Sequence, residues 1–598
     1  MDVLKNTYNK RITFFEKEKA RYKKRLGWVS LSRLTAFLLI LGLIFSFGRI
    51  PVFVSVAGLV LFLILFAGLI RYYQKLTQII NHISLTIDIN LNELKALEND
   101  YSIFESGKEF VDPAHPFSYD MDIVGEGSVY QYLNRTVTLA GKEKLANELA
   151  YPSKDTDIIV KRQESISELA DMIDLRQDFM AAGKSYSEKQ GEMDDLLRWV
   201  NESVRYMKSS LFRNLIVILP AIALAILVLS FFISGMYNLL IFLILGQLAI
   251  VGNQLKYTNR IHEKIGKRME MLKKYSRLFN YFEKPNFQSS LLSAYQKKLY
   301  INNESATMAI HHLSGIISAF DNRLNLLVGF LLNGLLLWDI QCMIRLEKWQ
   351  EKYRNILPDW FDALGGFDAL SSFSNFRFNH PGYVFPEISE NKIIEAQNIG
   401  HPLIVAEERV CNDFELAEKG NFVIVTGANM AGKSTFLRTI GVNWILAMAG
   451  APVCADKFVF NPEHLFTSMR TSDSLQKSES YFYAELKRLK ELIDRLKNKE
   501  HPFIILDEIL KGTNSVDKQA GSQTVLQNIL KLGGTGLIAT HDLELAKMEK
   551  QFPDRIINKC FEIEINGAEI FFDYKLIDGI TKKMNATLLM EQMGILSI

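Results

Sequence analysis

Cysteine is scarce in this chain: four residues, Cys342, Cys411, Cys454 and Cys560, stand far apart among 598. Their spacing suits neither a disulfide framework nor a cysteine-held metal, so a reducing cytosolic setting is the expectation. An excess of charge of one sign is also missing. The 69 basic and 67 acidic side chains leave a net charge of +2, which excludes a strongly basic nucleic-acid coat while leaving room for a local basic patch. A disordered or collagen-like chain is excluded by a hydrophobic fraction of 48% and a mean hydropathy of +0.04. At this length about four domains are expected.

The apolar residues are unevenly spread. Ile50 to Ile70 is 21 residues without a charge, about 31 Å as a helix, the thickness of a hydrocarbon core. Leu34 to Gly48 is a second uncharged stretch before it, which reaches back to Leu26 if Arg33 extends its charge to the interface. Asn214 to Leu255 then gives 42 residues without a charge, read as two spans around a turn at Ser234–Asn238. Residues 1–33 carry ten basic side chains and Lys256 to Arg277 carries eight, whereas the outer turns hold only Arg49. The positive-inside rule therefore predicts a multi-pass inner (plasma) membrane protein with both termini and the rest of the chain in the cytoplasm. Leu324 to Trp338, a further apolar run of 15 residues, is too short to span and is expected to be a buried core helix. The four predicted spans lack a central ionisable residue, which weighs against a transport pathway.

Beyond Gly400 short apolar runs alternate with helical stretches, an α/β pattern. The run Phe422–Val425 precedes Gly427, Ala428, Asn429, Met430, Ala431, Gly432, Lys433, Ser434 and Thr435. This is a GxxxxGKS loop between a strand and a helix, whose backbone N–H groups suit phosphates. Lys433 is expected to reach the β- and γ-phosphates of ATP, and the Ser434 hydroxyl to ligate Mg²⁺. A second apolar run, Phe503–Leu506, ends in Asp507 and Glu508, expected to hold Mg²⁺ and to polarise the attacking water respectively. A third, Gly536–Thr540, delivers His541 toward the γ-phosphate or that water. These residues predict an ATPase.

Taken with their neighbours, the same residues resemble the MutS family of DNA mismatch-repair ATPases. The resemblance runs from about Asp120 to Ile598 and rests on His401-Pro402, Asn412-Asp413, the loop with its Asn429-Met430, Ser480-Tyr481-Phe482 with Glu485, Leu506-Asp507-Glu508, Gly512-Thr513 and Ala539-Thr540-His541. Asp122 to Gly125, Asn134, Thr138, Gly141 and Arg162-Gln163 look like the start of the family's helical core. The resemblance implies a homodimer through the ATPase domains, in which Ser480 reaches the partner's γ-phosphate near the Asp517 loop. It also implies that Val410 and Tyr574 contact the adenine.

The chain departs from the family where mismatch reading resides. A basic arm and an apolar hairpin occupy that place, and no Phe-x-Glu stands there in a globular context. The second apolar hairpin falls near where the family inserts its DNA clamp. DNA therefore enters as a partner by family analogy, beside membrane lipid and a possible protein partner. The basic residues Lys256 to Arg277 are read first as membrane-flanking anchors. An ABC-type transport ATPase is the alternative, though no Leu-Ser-Gly-Gly-Gln run occurs; a nucleotide-switched membrane scaffold is another. The expected fold is α plus α/β: transmembrane hairpins, a long-helix core and a C-terminal P-loop (ABC-type) ATPase domain with a mixed sheet. The expected boundaries are a basic cytoplasmic arm (1–33), hairpin one (34–70), a cytoplasmic linker (71–119), a helical core (120–399) interrupted by hairpin two (214–255), and the ATPase domain (400–598).

Overall fold

A computed structural model describes residues 2–46, 48–49, 51–470, 481–566 and 569–582. The chain is mixed α/β and mostly helical, with sheets confined mainly to its C-terminal third. It opens on two long helices, α1 (Asp2–Phe45) and α2 (Val52–Leu97), packed along one another. The basic arm and the first apolar stretch thus share one uninterrupted helix, because nothing between Asp2 and Phe45 breaks it: the segment holds no proline. Exposure divides α2 by function. Phe53, Leu61, Ile64 and Leu65 are exposed, whereas Leu76, Ile80, Ile83, Ile87 and Ile89 are buried against the rest of the protein.

The helical body is built around Leu357–Asn379, whose side chains are buried on nearly every face. Two adjacent glycines permit this: a Cβ on Gly365 would meet Ala140 and one on Gly366 would meet the Tyr295 ring. Asp368 on this helix accepts from the backbone N–H of Val137 and Thr138 and from the Thr138 hydroxyl. Thr138 in turn caps Leu139–Ala150 by accepting from Gly141 N–H. A Cβ on Gly141 would collide with the Asp368 carboxylate. Thr138 and Gly141, motif residues in the sequence, are therefore joints between helices of the body.

Four described helices are long and apolar enough to cross a membrane: α1, α2, Ser210–Leu229 and Met236–Gly266. The turn between the last two ends at Gly235, at φ 97°, a conformation that favours glycine. The expectation of a buried helix at Leu324–Trp338 is corrected. Leu326–Leu336 is a separate short helix, bent by 110° from Ala306–Leu324. Leu324, Leu326, Leu327, Phe330 and Leu331 on and beside it are exposed. It lies on the outside of the second hairpin, against Met236–Gly266 and Ser210–Leu229, so it has no body to bury its outer face.

The C-terminal part carries two sheets. In the larger, the strand order is Glu569–Asp578, Ile556–Asn566, Phe422–Gly427, Thr535–Thr540, Phe503–Asp507, Leu465–Ser468. All neighbours run parallel except the first pair. Phe422–Gly427 is buried along its whole length, as a central strand covered on both faces must be, and its continuous apolar run reflects that. A four-stranded sheet, ordered Glu387–Ile388, Lys457–Phe460, Ile394–Ile399, Asn412–Leu416, lies beside it.

Candidate functional site

Parallel strands end together, and the loops beyond their C-terminal ends meet at one edge of the sheet. Here those loops carry Asn429–Gly432, Asp507–Glu508 and His541, which line a single cleft of about 500 Å³. The helix Lys433–Met448 starts directly after Gly432, which sits at φ 100°. A Cβ at Gly432 would lie 3.0 Å from the Tyr574 ring. Among the described residues no side-chain hydrogen bond caps this helix, and its first residues, Lys433 and Ser434, line the cleft, which brings the positive end of the helix dipole to it.

Lys433 is buried to 5% exposure. Its Nζ donates to the carbonyls of Gly427 (2.9 Å) and Ala428 (2.8 Å) and lies 3.1 Å from His541 Nε2. Among the described residues it has no carboxylate within ion-pair distance. Burial lowers its pKa to about 8, opposed by the charges of Asp507 and Glu508. His541 is held below the ordinary imidazole value by burial and then by the Lys433 charge. It is therefore neutral near pH 7 and accepts from the ammonium. Glu508 Oε1 is 3.6 Å from His541 Nε2. Glu508 leaves the strand at φ 50° while its N–H donates to Ala539 O at 2.9 Å, which ties the two acidic and histidine-bearing strand ends together.

The cleft is also lined by an apolar set of side chains: Ile399, Val410, Phe436, Phe561 and Tyr574. His401 joins this set, and burial lowers its pKa to about 4. Asn412 aims Tyr574 by donating to Tyr574 O (3.1 Å) and accepting from Leu576 N–H (2.8 Å). The motif residue Asn412, itself lining the cleft, thus fixes the backbone that carries the ring. Asn429, Met430, Gly432, Ser434 and Thr435 line the cleft, with Ser434 and Thr435 exposed at the start of the helix, whereas Gly427 is buried at the end of its strand and accepts from Lys433 there.

Ser480 lies outside the described residues, which resume on the helix Tyr481–Lys497 that follows it. Glu485 is buried and accepts from the N–H groups of Leu510 and Lys511, clamping the turn that follows Glu508. A Cβ at Gly512 would stand 2.9 Å from Phe482 Cβ, so only glycine lets this turn close on the Phe482 helix. Gly512→Leu is expected to destabilise the protein by about 1–3 kcal/mol through overpacking, read as a lowered urea midpoint.

Ile399, Ile404, Glu408, Phe436, Thr439, Lys511 and Phe561 also line the cleft and escape sequence reasoning. They are ordinary core or surface types, without a spacing that marks them. The body reaches the same edge: Asp120 accepts from Thr467 Oγ1 and from the N–H groups of Met469 and Arg470. Asp122 pairs with Arg470 and, at 3.4 Å, with Arg438 on the Lys433 helix.

A helical body joined by acidic residues to a mixed sheet with a glycine-loop cleft defines the class, a two-part α then α/β protein with a candidate phosphate site. A family model described as MutS domain III matches residues 118–374, and one described as MutS domain V matches residues 423–594. By these two domains the chain belongs to the MutS family. The DNA mismatch repair protein MutS of Thermotoga maritima is 30% identical over 236 residues, 39% of this chain and 29% of the relative. The protein of that name from Fusobacterium nucleatum is 32% identical over 224 residues, 36% and 25% of the two chains. Human MutS protein homolog 4 is 31% identical over 234 residues, 38% and 24%. The matched stretch thus spans less than a third of the length of these relatives.

Proposed function

We propose that this chain is a membrane-anchored MutS-family ATPase that hydrolyses ATP with Mg²⁺ and converts the cycle into movement of its helical body. One observation carries the reading: Lys433, Ser434, Asp507, Glu508 and His541 share a cleft with the apolar side chains Val410, Phe436, Phe561 and Tyr574. The residues suit a nucleotide. Lys433 is a buried cation whose partners are carbonyls and a neutral imidazole, so an anion is the missing counter-charge. The uncapped N–H groups of its helix offer donors to the same anion.

In this reading the loop from Gly427 to Thr435, with Asn429 and Met430, is a P-loop that wraps the β- and γ-phosphates. Lys433 neutralises them as a point charge. The Ser434 hydroxyl and the Asp507 carboxylate would hold Mg²⁺, which would supply neutralisation of the phosphate charge. Glu508 accepts the proton of the attacking water and His541 orients that water. Val410 and Tyr574 sandwich the adenine. Ser480 completes the site from a second copy, so the active unit is a homodimer. Residues 1–33, 71–119, the core 120–399 outside hairpin two, and 400–598 are cytoplasmic in this reading. Hairpins 34–70 and 214–255 are lipid-embedded in the inner (plasma) membrane, supported by the exposure of Phe53, Leu61, Phe231, Phe232 and Phe242. DNA is the proposed substrate of the movement, supported by the repair proteins that the chain resembles.

The test is phosphate release by the full chain in lipid vesicles, with and without duplex or branched DNA. Lys433→Ala is expected to abolish turnover and weaken nucleotide binding at least tenfold. DNA binding that falls steeply with salt and changes the rate supports the DNA role. Turnover that persists in Lys433→Ala overturns the ATPase reading, and an unchanged rate without DNA binding overturns the DNA role alone.

A further inference from the structure

The helix Leu326–Leu336 is built inside out. Its buried positions are Gly329, Asn333 and Gly334, and its exposed ones are Leu326, Leu327, Val328, Phe330 and Leu331. A helix facing water arranges the opposite, with polar residues outward and apolar ones inward. A helix facing hydrocarbon turns small and polar residues to its neighbours and apolar ones to lipid.

The polar residue is accounted for. Asn333 Nδ2 donates to Asp339 Oδ1 (3.0 Å), and Asp339 N–H donates back to Asn333 Oδ1 (2.9 Å). Asp339 also pairs with Arg323 at 3.1 Å, both carrying little exposure, and Arg323 Nη2 reaches Asn259 at 2.7 Å. The helix start is capped by Asn325, which accepts from Val328 N–H. Asn325, Asn333 and Asp339 Oδ1 thus find hydrogen-bond partners within the protein, and the Arg323–Asp339 pair cancels its own charge, which together lower the cost of leaving water.

Depth follows from the neighbours. A Cβ on Gly334 would meet Ile244 at 2.9 Å, so the two backbones approach closely there. Ile244 precedes Lys256, the charge that ends the second uncharged block, by about 18 Å of helix rise. At 11 residues the helix is itself about 16 Å long, half a hydrocarbon core. It enters beside hairpin two and is too short to leave on the other side.

We infer that Leu326–Leu336 is a re-entrant membrane segment whose Leu326, Leu327, Phe330 and Leu331 face lipid acyl chains. This rests on the reading of residues 214–255 as a membrane hairpin. Its consequence is that the body is held to the bilayer at the bend between Ala306–Leu324 and Leu326–Leu336 as well as at the two hairpins.

The experiment places an environment-sensitive fluorophore on single cysteines in the full chain, with half-buried Cys411 replaced by serine. Leu327→Cys and Leu331→Cys are compared with Val217→Cys on hairpin two and with Met308→Cys, exposed on Ala306–Asp321. The protein is reconstituted in phosphatidylcholine and phosphatidylglycerol vesicles containing acyl-chain spin-labelled lipid. Quenching at 327 and 331 comparable to 217, with none at 308, is the expected result. The same two sites stay closed to a membrane-impermeant maleimide added on the side opposite the ATPase domain. Quenching at 217 but not at 327 or 331 overturns the re-entrant segment and leaves hairpin two in place; water, a second copy or a protein partner then covers this face. Absence of quenching at 217 as well overturns both readings. Labelling at 327 or 331 from the far side shows a full span and overturns re-entry.

Discussion

Glu508→Gln is expected to leave ATP bound and reduce phosphate release by at least 100-fold, the lower end of what a positioned general base contributes. The amide is isosteric with the carboxylate, and the backbone at Glu508, pinned to Ala539 O, is untouched by the change. Its 3.6 Å approach to His541 survives as well. What the amide loses is the ability to accept a proton from water. Binding, which in the proposed reading falls to Lys433, Ser434 and the loop N–H groups, is therefore expected to be spared. The check is a pair of measurements on one preparation: nucleotide retained on the protein and phosphate released per minute. Retention with loss of release is the expected outcome. Equal release by both forms removes Glu508 from the chemistry, and no release by either form favours a nucleotide-switched scaffold over an ATPase.

The second large effect lies far from the cleft. Glu93 on α2 pairs with Arg135 of the body, with Arg135 Nη2 at 3.3 Å from Glu93 Oε2 and side-chain exposures of 4% and 2%. Asn379 Nδ2 donates to the same carboxylate at 2.9 Å, and Tyr8 of α1 donates to Asn379 Oδ1 at 2.7 Å. The Arg135 guanidinium also lies over the Phe104 ring. Both N-terminal helices are thus joined to the central helix by one buried polar network. Glu93→Ala leaves the Arg135 charge buried and unpaired, which costs about 3–5 kcal/mol, expected as a large fall in the urea midpoint and early proteolysis of α1 and α2.

Acid is expected to act on the same joint. Burial alone would raise the Glu93 pKa, but the charge and hydrogen bond of Arg135 outweigh it and leave the carboxyl below its ordinary value. A depressed carboxyl contributes stability that is present above the ordinary value near 4.5 and lost as pH falls below it. A urea midpoint followed from pH 6 to pH 3 should fall in the intact chain and change less in Glu93→Ala.

Two kinds of residue differ in how far the sequence betrays them. Lys433, Asp507, Glu508 and His541 are legible because each ends or follows an apolar run, and parallel strands bring such ends to one edge. Val410 and Tyr574 follow from the family resemblance, and both line the cleft. Phe436 and Phe561 are illegible, since a phenylalanine in a strand or helix looks the same whether it packs in a core or walls a cleft. Leu326–Leu336 misleads for a related reason: composition alone does not say whether an apolar run has protein or solvent beside it.

The order of elements, the uncharged stretches, the glycine loop and its acidic and histidine partners were determined by the sequence itself. They depend on local periodicity, charge and backbone freedom, which are properties of neighbours in the chain. Tertiary structure decided which apolar helices pack against the body and which stay exposed. It also decided that Thr138, Gly141 and Asp368 form one joint, and that Glu485 and Gly512 close the turn after Glu508. Those outcomes depend on contacts between residues tens to hundreds of positions apart, whose geometry no local pattern encodes.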